Sequence, residues 1–297
     1  MFTRSHLDMS KFMQDYFVTD EYPNSLNETS AFLEIQTMDD IWNYLENQLL
    51  NGIYWNEIAD MDDPLEKTLF NENKYLGKVR LRMLRVYNKT CDSPEFFKRE
   101  TRECMPIYSK SVENKEPFGP ANSSAYIYSE ETELGTKDFT TFDSLITYGG
   151  GGFIQDLPTD NHEEALNIVH SLKEDQWIDQ QTRMLFIDFT TYNIHIKLYT
   201  AVKLYIEITP FDIFPHRSIK SVNLYRYETF DDYLYLVFEA IFCSFTIFYF
   251  IQDMFEFYKK RMAYFDENWN VIDFIVLSVS YFGDFEKLPK NRKSDNF

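Results

Sequence analysis

The sequence feature that most constrains this chain is an apolar stretch at residues 233–251, which reads YLYLVFEAIFCSFTIFYFI. A helix of this length extends about 28 Å, close to the hydrocarbon core of a bilayer at about 30 Å. The stretch contains one charged side chain, Glu239. A carboxylate inside a span costs about 2.5–3.5 kcal/mol, so a buried helix of a soluble protein is the alternative. The other, uncharged positions favour a transmembrane helix, with Glu239 as an intramembrane acid that faces a partner or an aqueous cavity.

The residues around this stretch predict its orientation. Tyrosines stand near both ends, where aromatic belts lie at membrane surfaces, at positions 233, 235, 249 and 258. Lys259, Lys260 and Arg261 follow the stretch. Because basic residues collect on the cytoplasmic side of membranes, we expect this cluster in the cytoplasm and residues 1–230 on the extracellular or lumenal side.

A second apolar stretch at residues 269–283 is too short to cross a bilayer alone. About twelve apolar-rich residues follow Asn270, whereas a span needs about 20. We interpret it as a transmembrane helix that is cut short; a short interfacial or core helix is the alternative. Residues 231–258 are then the complete membrane helix, 259–268 a cytoplasmic linker and 284–297 a polar tail.

Charge excludes one class of partner. The chain carries a formal charge of −19, and residues 1–230 hold 37 acidic and 22 basic side chains, a balance of −15. Such a surface repels phosphate backbones, and no basic stripe with interleaved aromatic residues interrupts it. We therefore expect no nucleic-acid partner.

Three glycosylation sequons and two cysteines fall in the acidic region. The sequons begin at Asn27, Asn88 and Asn122, and Cys91 lies thirteen residues before Cys104. Both features suit an oxidising, extracellular compartment, where the two thiols could form a disulfide. The first seventeen residues contain four charged side chains and no apolar core, so they are not a signal peptide, and another segment must direct translocation.

The pattern of residues 1–230 predicts an α+β domain in which an antiparallel sheet is flanked by helices. Apolar residues recur at helical spacing in two segments, residues 38–55 and 161–175, and Asn161 is placed to cap the second helix. Four further runs are rich in strand-forming residues, at positions 79–87, 125–129, 184–193 and 196–209.

Several blocks of this domain resemble the polycystins, the polycystic-kidney-disease branch of the transient-receptor-potential channels. They are MDDIW with LNGIYW (38–42, 50–55), LGKVRLRMLRV (76–86), PFGP (117–120), WIDQQTR (177–183) and FIDFTTYN (186–193). The blocks occur in the family's order, and the resemblance extends from about residue 1 to residue 283. A final tyrosine of one family element is replaced here by Phe153, after the glycines at 149–152.

The resemblance implies a subunit of a homo- or heterotetrameric, non-selective, calcium-permeable cation channel in the plasma or ciliary membrane. The extracellular domain would contact other polycystin subunits and influence gating. The chain is then expected to be a fragment that begins after the family's first membrane helix and lacks the pore. One alternative is a large, receptor-like polycystin whose domain binds partners; another, apart from the family, is a soluble acidic binding protein.

The resemblance also implies roles for single residues. Cys91 and Cys104 match the positions of a family disulfide. Asn88 and Asn122 fall where the family's sequons stand, so we expect glycosylation there more than at Asn27.

One cation site is a hypothesis. Its oxygen ligands would come from Gln252, Asp253 and Glu256 at the inner end of the first membrane helix and from Asn270 and Asp273 near the start of the next. Oxygen ligands suit calcium, and the spacing loosely resembles a cytoplasmic calcium site of related channels. Solvated helix ends with capping acids are the alternative.

No enzyme motif emerges from the sequence. The glycines at 149–152 lack the Lys-Ser/Thr pair of a phosphate-binding loop, and the five histidines show no metal-ligand spacing. We expect no catalytic residue and no cofactor other than calcium. The arginines at 80, 82, 85 and 183 are expected to form structural ion pairs, with contact between subunits as the alternative.

Overall fold

A computed structural model of the chain describes residues 2–23, 29–54, 68–69, 73–88, 104–120, 123–141, 145–159, 161–223, 230–261 and 272. The chain divides into two compact units, Met1–Asn223 and Leu224–Phe297. Each unit is described by itself.

The first unit is built on an eight-stranded antiparallel sheet. The path through six strands runs β12 (Ile213–Val222), β11 (Leu198–Ile208), β10 (Thr182–Asn193), β5 (Val79–Arg85), β9 (Gly152–Leu157) and β6 (Tyr128–Ser129). Strand β4 (Asn73–Tyr75) also pairs with β10, and β3 (Thr68–Leu69) pairs with β4. Two small ribbons join β1 (Tyr22–Pro23) to β2 (Thr29–Ser30) and β7 (Phe139–Thr140) to β8 (Thr147–Tyr148).

Both faces of the sheet are covered, which explains why its central strands are apolar on both sides. Alternate residues of a strand point to opposite faces. On β10, Leu185 and Ile187 enter a large core beneath the helices, whereas Met184 and Phe186 enter a smaller cluster on the other face. The sheet therefore separates a helical layer from a second, loop-rich layer.

Five α-helices lie among the described residues of the first unit. They are α1 (Phe2–Gln14), α2 (Met38–Asn43), α3 (Leu50–Ile53), α4 (Glu131–Leu134) and α5 (His162–Glu174) in the first unit. Thr37 caps α2, because its hydroxyl accepts from the Asp40 amide at 3.2 Å while Asp40 accepts from the Thr37 amide at 2.9 Å. Wider π-helical turns follow α1 (Asp15–Thr19) and link α2 to α3 (Tyr44–Leu49).

The structure confirms the predicted α+β class and most of the predicted elements. The helix predicted at 38–55 is present as far as Ile53, and Asn161 caps α5 by accepting from the Glu164 amide at 3.0 Å. The strand predicted at 125–129 is partly wrong: a 3₁₀ turn occupies Ser124–Tyr126 because the Ser123 hydroxyl accepts from the Ala125 amide. Helix α1 and strands β9 and β12 were not predicted.

The second unit contains helix α6 (Phe230–Lys260). Its segment Tyr233–Lys259 is long and apolar enough to cross a membrane, and none of its most apolar part is buried within the structure. The hydroxyls of Ser244 and Thr246 donate to the carbonyls of Ala240 and Phe242, four residues earlier, so they need no outside partner. Such a surface is stable only against lipid or an apolar protein partner.

Candidate functional site

The second face of the sheet is covered by residues 104–113, 139–141 and 145–151, which we call the cover segment. It ends in the glycine loop, Gly149 to Gly152. Arg82 of β5 reaches this loop, and its Nη1 donates to the carbonyls of Gly149 at 3.0 Å and Gly151 at 2.8 Å. The guanidinium also lies 3.9 Å from the ring centre of Phe186, and Arg82 is 1% exposed. The buried cation of Arg82 thus joins the glycine loop to the sheet.

Three of the four glycines, Gly150 to Gly152, are required by crowding around their α-carbons. A Cβ atom on Gly150 would lie 2.6 Å from the Thr136 carbonyl oxygen, and one on Gly152 would lie 2.8 Å from the Met83 carbonyl oxygen. Gly152 also has a φ of +149°, which other residues rarely adopt. At these three positions the loop passes so close to neighbouring backbone that no side chain fits.

A buried carboxylate organises the same region. Glu113 accepts hydrogen bonds from the hydroxyls of Tyr108 at 3.0 Å and Tyr128 at 2.7 Å, and the Gly149 amide donates to the Tyr108 oxygen at 2.9 Å. Burial raises the pKa of both phenols, and the carboxylate of Glu113 raises it further. Both phenols therefore stay protonated and remain donors at neutral pH.

The other arginines divide into two groups. Arg80 forms a bidentate ion pair with Asp156 at 2.7 and 3.0 Å, and Arg85 pairs with Asp179 and lies 3.5 Å from the ring centre of Phe118. The predicted ion pairs are thus confirmed at these two positions.

The prediction of ion pairs is wrong for Arg82 and Arg183, which bind backbone carbonyls. Arg183 donates to the carbonyls of Met105 at 3.1 Å and Pro106 at 2.9 Å, at the start of the described cover segment. Carbonyl groups satisfy a buried guanidinium without a second buried charge. The two arginines hold the two ends of this cover segment against the sheet.

A groove lies beside α5, at the β9 edge of the sheet. It encloses about 600 Å³ and has partly apolar walls from Pro120, Tyr126, Ile168 and Leu172. Three carboxylates line it, those of Glu163, Glu164 and Asp175, together with polar side chains of Ser123, Gln155, Asn161, Asn167 and Ser171. We call it the acidic groove.

The structure does not test most of the predicted ligand and modification sites. Cys91, Asn27, Asn122, Asn270 and Asp273 lie outside the described residues. Asn88 is half-buried in a turn three residues after the end of β5. Its glycosylation and the Cys91–Cys104 disulfide stay predictions.

Three of the predicted calcium ligands lie together on helix α6. Gln252, Asp253 and Glu256 are in the last turns of α6, and Glu239 is half-exposed on the same helix. In the part of the chain that the structure describes, no group of three or more His, Cys, Asp or Glu side chains is placed to hold a metal ion. The calcium site therefore stays a prediction.

Sequence reasoning missed the arginine–glycine contact and the acidic groove. The glycine run predicted a tight bend, but its partner Arg82 is 67 residues earlier in sequence than Gly149. The available signal was the apolar setting of Arg82 within β5, which predicts a buried guanidinium that needs acceptors.

Replacing Gly151 by alanine should destabilise the first unit by about 1–3 kcal/mol, because the new methyl group overpacks the loop. Its Cβ would lie 2.2 Å from the Tyr128 hydroxyl oxygen and 2.9 Å from the Ser129 carbonyl oxygen. Denaturant unfolding followed by tryptophan fluorescence measures the loss. Tyr128→Phe in the same chain should recover part of it by removing the hydroxyl, and an unchanged midpoint for Gly151→Ala would contradict the packing.

Comparison with known proteins identifies two consecutive family matches. The profile described as Polycystin domain matches residues 31–225, and the profile described as Polycystin cation channel matches residues 226–284. The chain is 34% identical to Polycystin-2 of Caenorhabditis elegans over 272 residues, which are 91% of this chain and 37% of that protein.

Other relatives give the same picture. Polycystin-2 of Danio rerio is 34% identical over 91% of this chain and 30% of its own length. Human Polycystin-2-like protein 1 is 33% identical over 88% of this chain and 33% of its own length. The chain thus spans about a third of the length of these curated relatives. Similarity to Polycystin-1-like protein 3 of Mus musculus is lower, at 24% identity over 84% of the chain.

Proposed function

The chain belongs to the polycystin cation channel family, and from this premise we propose that it forms the extracellular domain and a membrane helix of a calcium-permeable, non-selective channel subunit. The observation that carries the proposal is the junction of the two family matches. The domain match ends at residue 225 and the channel match begins at residue 226, just before the exposed apolar helix α6.

We further propose that the domain takes part in subunit assembly and influences gating. Its partners would be other polycystin subunits, in a homo- or heterotetramer. The covered sheet supports this role, because a domain whose cover segment is held by buried arginines presents a fixed surface to a neighbour. The family is a cation channel family, and we propose no enzymatic activity.

A receptor-like role, as in the large polycystins, is the second candidate. The similarity to Polycystin-1-like protein 3 supports it, but the identity of 24% is below the 33–34% found for the Polycystin-2 group. We therefore favour the channel subunit. Co-expression with a complete Polycystin-2 decides between them: a channel subunit should co-purify with it and alter its cation current, whereas a receptor-like chain should leave the current unchanged.

The proposed location is the plasma or ciliary membrane, with residues 1–230 outside the cell and α6 in lipid. Carbonate extraction of membranes that contain the full chain should leave it in the pellet, because α6 exposes apolar side chains along a membrane-spanning length. Ile247→Arg with Phe245→Arg should shift the chain to the supernatant, and Arg217→Gln should not. Release of the unaltered chain would contradict the proposal.

The extracellular placement also makes the modifications testable. We propose a disulfide between Cys91 and Cys104, which leaves Cys243 of α6 as the third cysteine of the chain. Thiol labelling of denatured protein from an animal host should then modify one cysteine before reduction and three after it. Glycosidase treatment should lower the apparent mass, and Asn88→Gln with Asn122→Gln should abolish that shift. Three reactive thiols before reduction would overturn the disulfide.

Calcium binding by the inner end of α6 is a separate proposal. Asn270→Ala with Asp273→Ala should weaken calcium binding measured on the purified chain, because each substitution removes an oxygen ligand. Gln252, Asp253 and Glu256 remain unaltered in this variant. Unchanged affinity would leave these residues as solvated helix ends.

A further inference from the structure

Copies of this domain face an electrostatic obstacle to close contact. The region has a net charge of −15, so two copies that approach at arbitrary orientation repel each other. Association is favoured where charges of opposite sign meet. Two surfaces of the first unit carry such opposite charges.

The first surface is the acidic groove. Its lining includes the carboxylates of Glu163, Glu164 and Asp175 but no lysine or arginine. Glu163, Glu164 and Asp175 are exposed, while Leu172 and Tyr126 are buried in the wall. The Asp175 carboxylate accepts from the Tyr126 hydroxyl at 2.9 Å, which fixes the two walls relative to each other. The groove offers an apolar base with a negative rim.

The second surface is the outermost strand of the sheet. Strand β12 contains Arg217 and Lys220 but no acidic residue. Both side chains are exposed, and neither forms an ion pair with any residue that the structure describes. We call these two residues the cationic edge. The two cations suit the negative rim of the groove, while Ile219 between them packs against the core of its own copy.

The two surfaces cannot meet within one copy. Strand β12 is one end of the sheet path, whereas the groove includes Gln155 of β9, four strands away. At about 4.8 Å per strand, the separation is about 19 Å. A contact between them must join different copies.

We propose that the cationic edge of one copy docks into the acidic groove of a second copy. Arg217 and Lys220 point to opposite faces of their strand, so they reach opposite sides of the groove. Pro215 lacks an amide hydrogen, which disfavours continuous strand pairing at this edge and leaves side chains to make the contact. The contact is head-to-tail, so each copy keeps a free groove and a free edge, and such contacts close into a ring when the rotation permits.

This inference rests on the proposed assembly function and names the surfaces that perform it. The experiment uses the full chain, solubilised in detergent, with two different affinity tags on co-expressed copies. The quantity measured is the amount of one tagged copy that is recovered with the other. The groove variant is Glu163→Lys with Glu164→Lys, and the edge variant is Arg217→Glu with Lys220→Glu.

Each variant alone should repel copies of itself, because its groove and its edge then carry the same sign. We expect recovery to fall about tenfold for either variant paired with itself. A groove variant paired with an edge variant should be recovered at the level of the unaltered chain, because every groove then meets an edge of opposite charge. Recovery of the unaltered pair should also fall as salt screens the contact.

Matched controls carry the same changes in charge on other exposed positions. They are Glu21→Lys with Glu133→Lys, and Lys74→Glu with Lys78→Glu. Both controls should associate like the unaltered chain, and circular dichroism of every variant should match it. If the variants unfold, the neutral pair Glu163→Gln with Glu164→Gln should still lower recovery.

The outcomes separate the inference from the function on which it rests. If unaltered copies associate and neither charge reversal lowers their recovery, the contact between groove and edge is overturned, while the assembly function stays intact. Failure of unaltered copies to associate with each other or with a complete Polycystin-2 would overturn the assembly function as well. The contact is established if the groove variant and the edge variant are recovered together while neither variant is recovered with a copy of itself.

Discussion

Replacing Arg82 by methionine should lower the free energy of unfolding of the first unit by about 3–5 kcal/mol. The substitution leaves the carbonyls of the glycine loop without their buried donor, at about 1–3 kcal/mol per unsatisfied group. It also removes the guanidinium from the face of Phe186, a contact worth up to about 2 kcal/mol. Methionine keeps the length of the aliphatic part, so the loss comes from the missing donors.

Arg80 of the same strand provides the control. It points to the same face of β5, but its ion pair with Asp156 is partly exposed, at 34% and 30% of the two side chains. Arg80→Met should therefore cost only about 0–1 kcal/mol. Urea unfolding followed by tryptophan fluorescence compares the two variants, and equal losses would refute the buried role of Arg82.

Replacing Trp177 by alanine should cost about 3–5 kcal/mol, because it empties the volume of a fully buried indole. Trp177 is 0% exposed, and its Nε1 donates to the Ala125 carbonyl at 2.9 Å. It therefore joins the end of α5 to the turn at residues 124–126, the two elements that form the walls of the acidic groove. The substitution should loosen the groove as well as the core.

Trp177→Phe separates packing from hydrogen bonding. It keeps most of the ring but loses the donor, so we expect a smaller loss of about 1–2 kcal/mol. Hydrogen exchange should show faster exchange at Ala125 and Tyr126 in both variants. Slower unfolding of Trp177→Ala, or unchanged exchange at these amides, would contradict the proposed link.

The acidic groove depends on the core for its shape and on exposed side chains for its charge. Its walls depend on Trp177 and on the Tyr126–Asp175 hydrogen bond, whereas its charge depends on exposed glutamates that stabilise little. Substitutions in the wall should therefore reduce both stability and association. Reversal of Glu163 and Glu164 should reduce association alone.

Local sequence signals were sufficient for several elements. The cap at Asn161 is read from neighbouring residues because its hydrogen bond closes within three positions. The strands β10 and β11 follow from runs of β-branched and aromatic residues that are buried on both faces. The turn at Ser124–Tyr126 was missed because a single side-chain hydrogen bond there outweighs strand propensity.

The sequence by itself determined that residues 233–251 form an exposed apolar helix and that residues 1–230 form an acidic α+β domain, because both depend on composition and short-range periodicity. Only the tertiary structure decided what the arginines do. Arg80 and Arg82 are two residues apart on one face of one strand, yet the first meets a carboxylate and the second meets carbonyls. Their partners lie 76 and 67 residues away, and which partner each one meets is set by the register of β5 with β9, which no local pattern records.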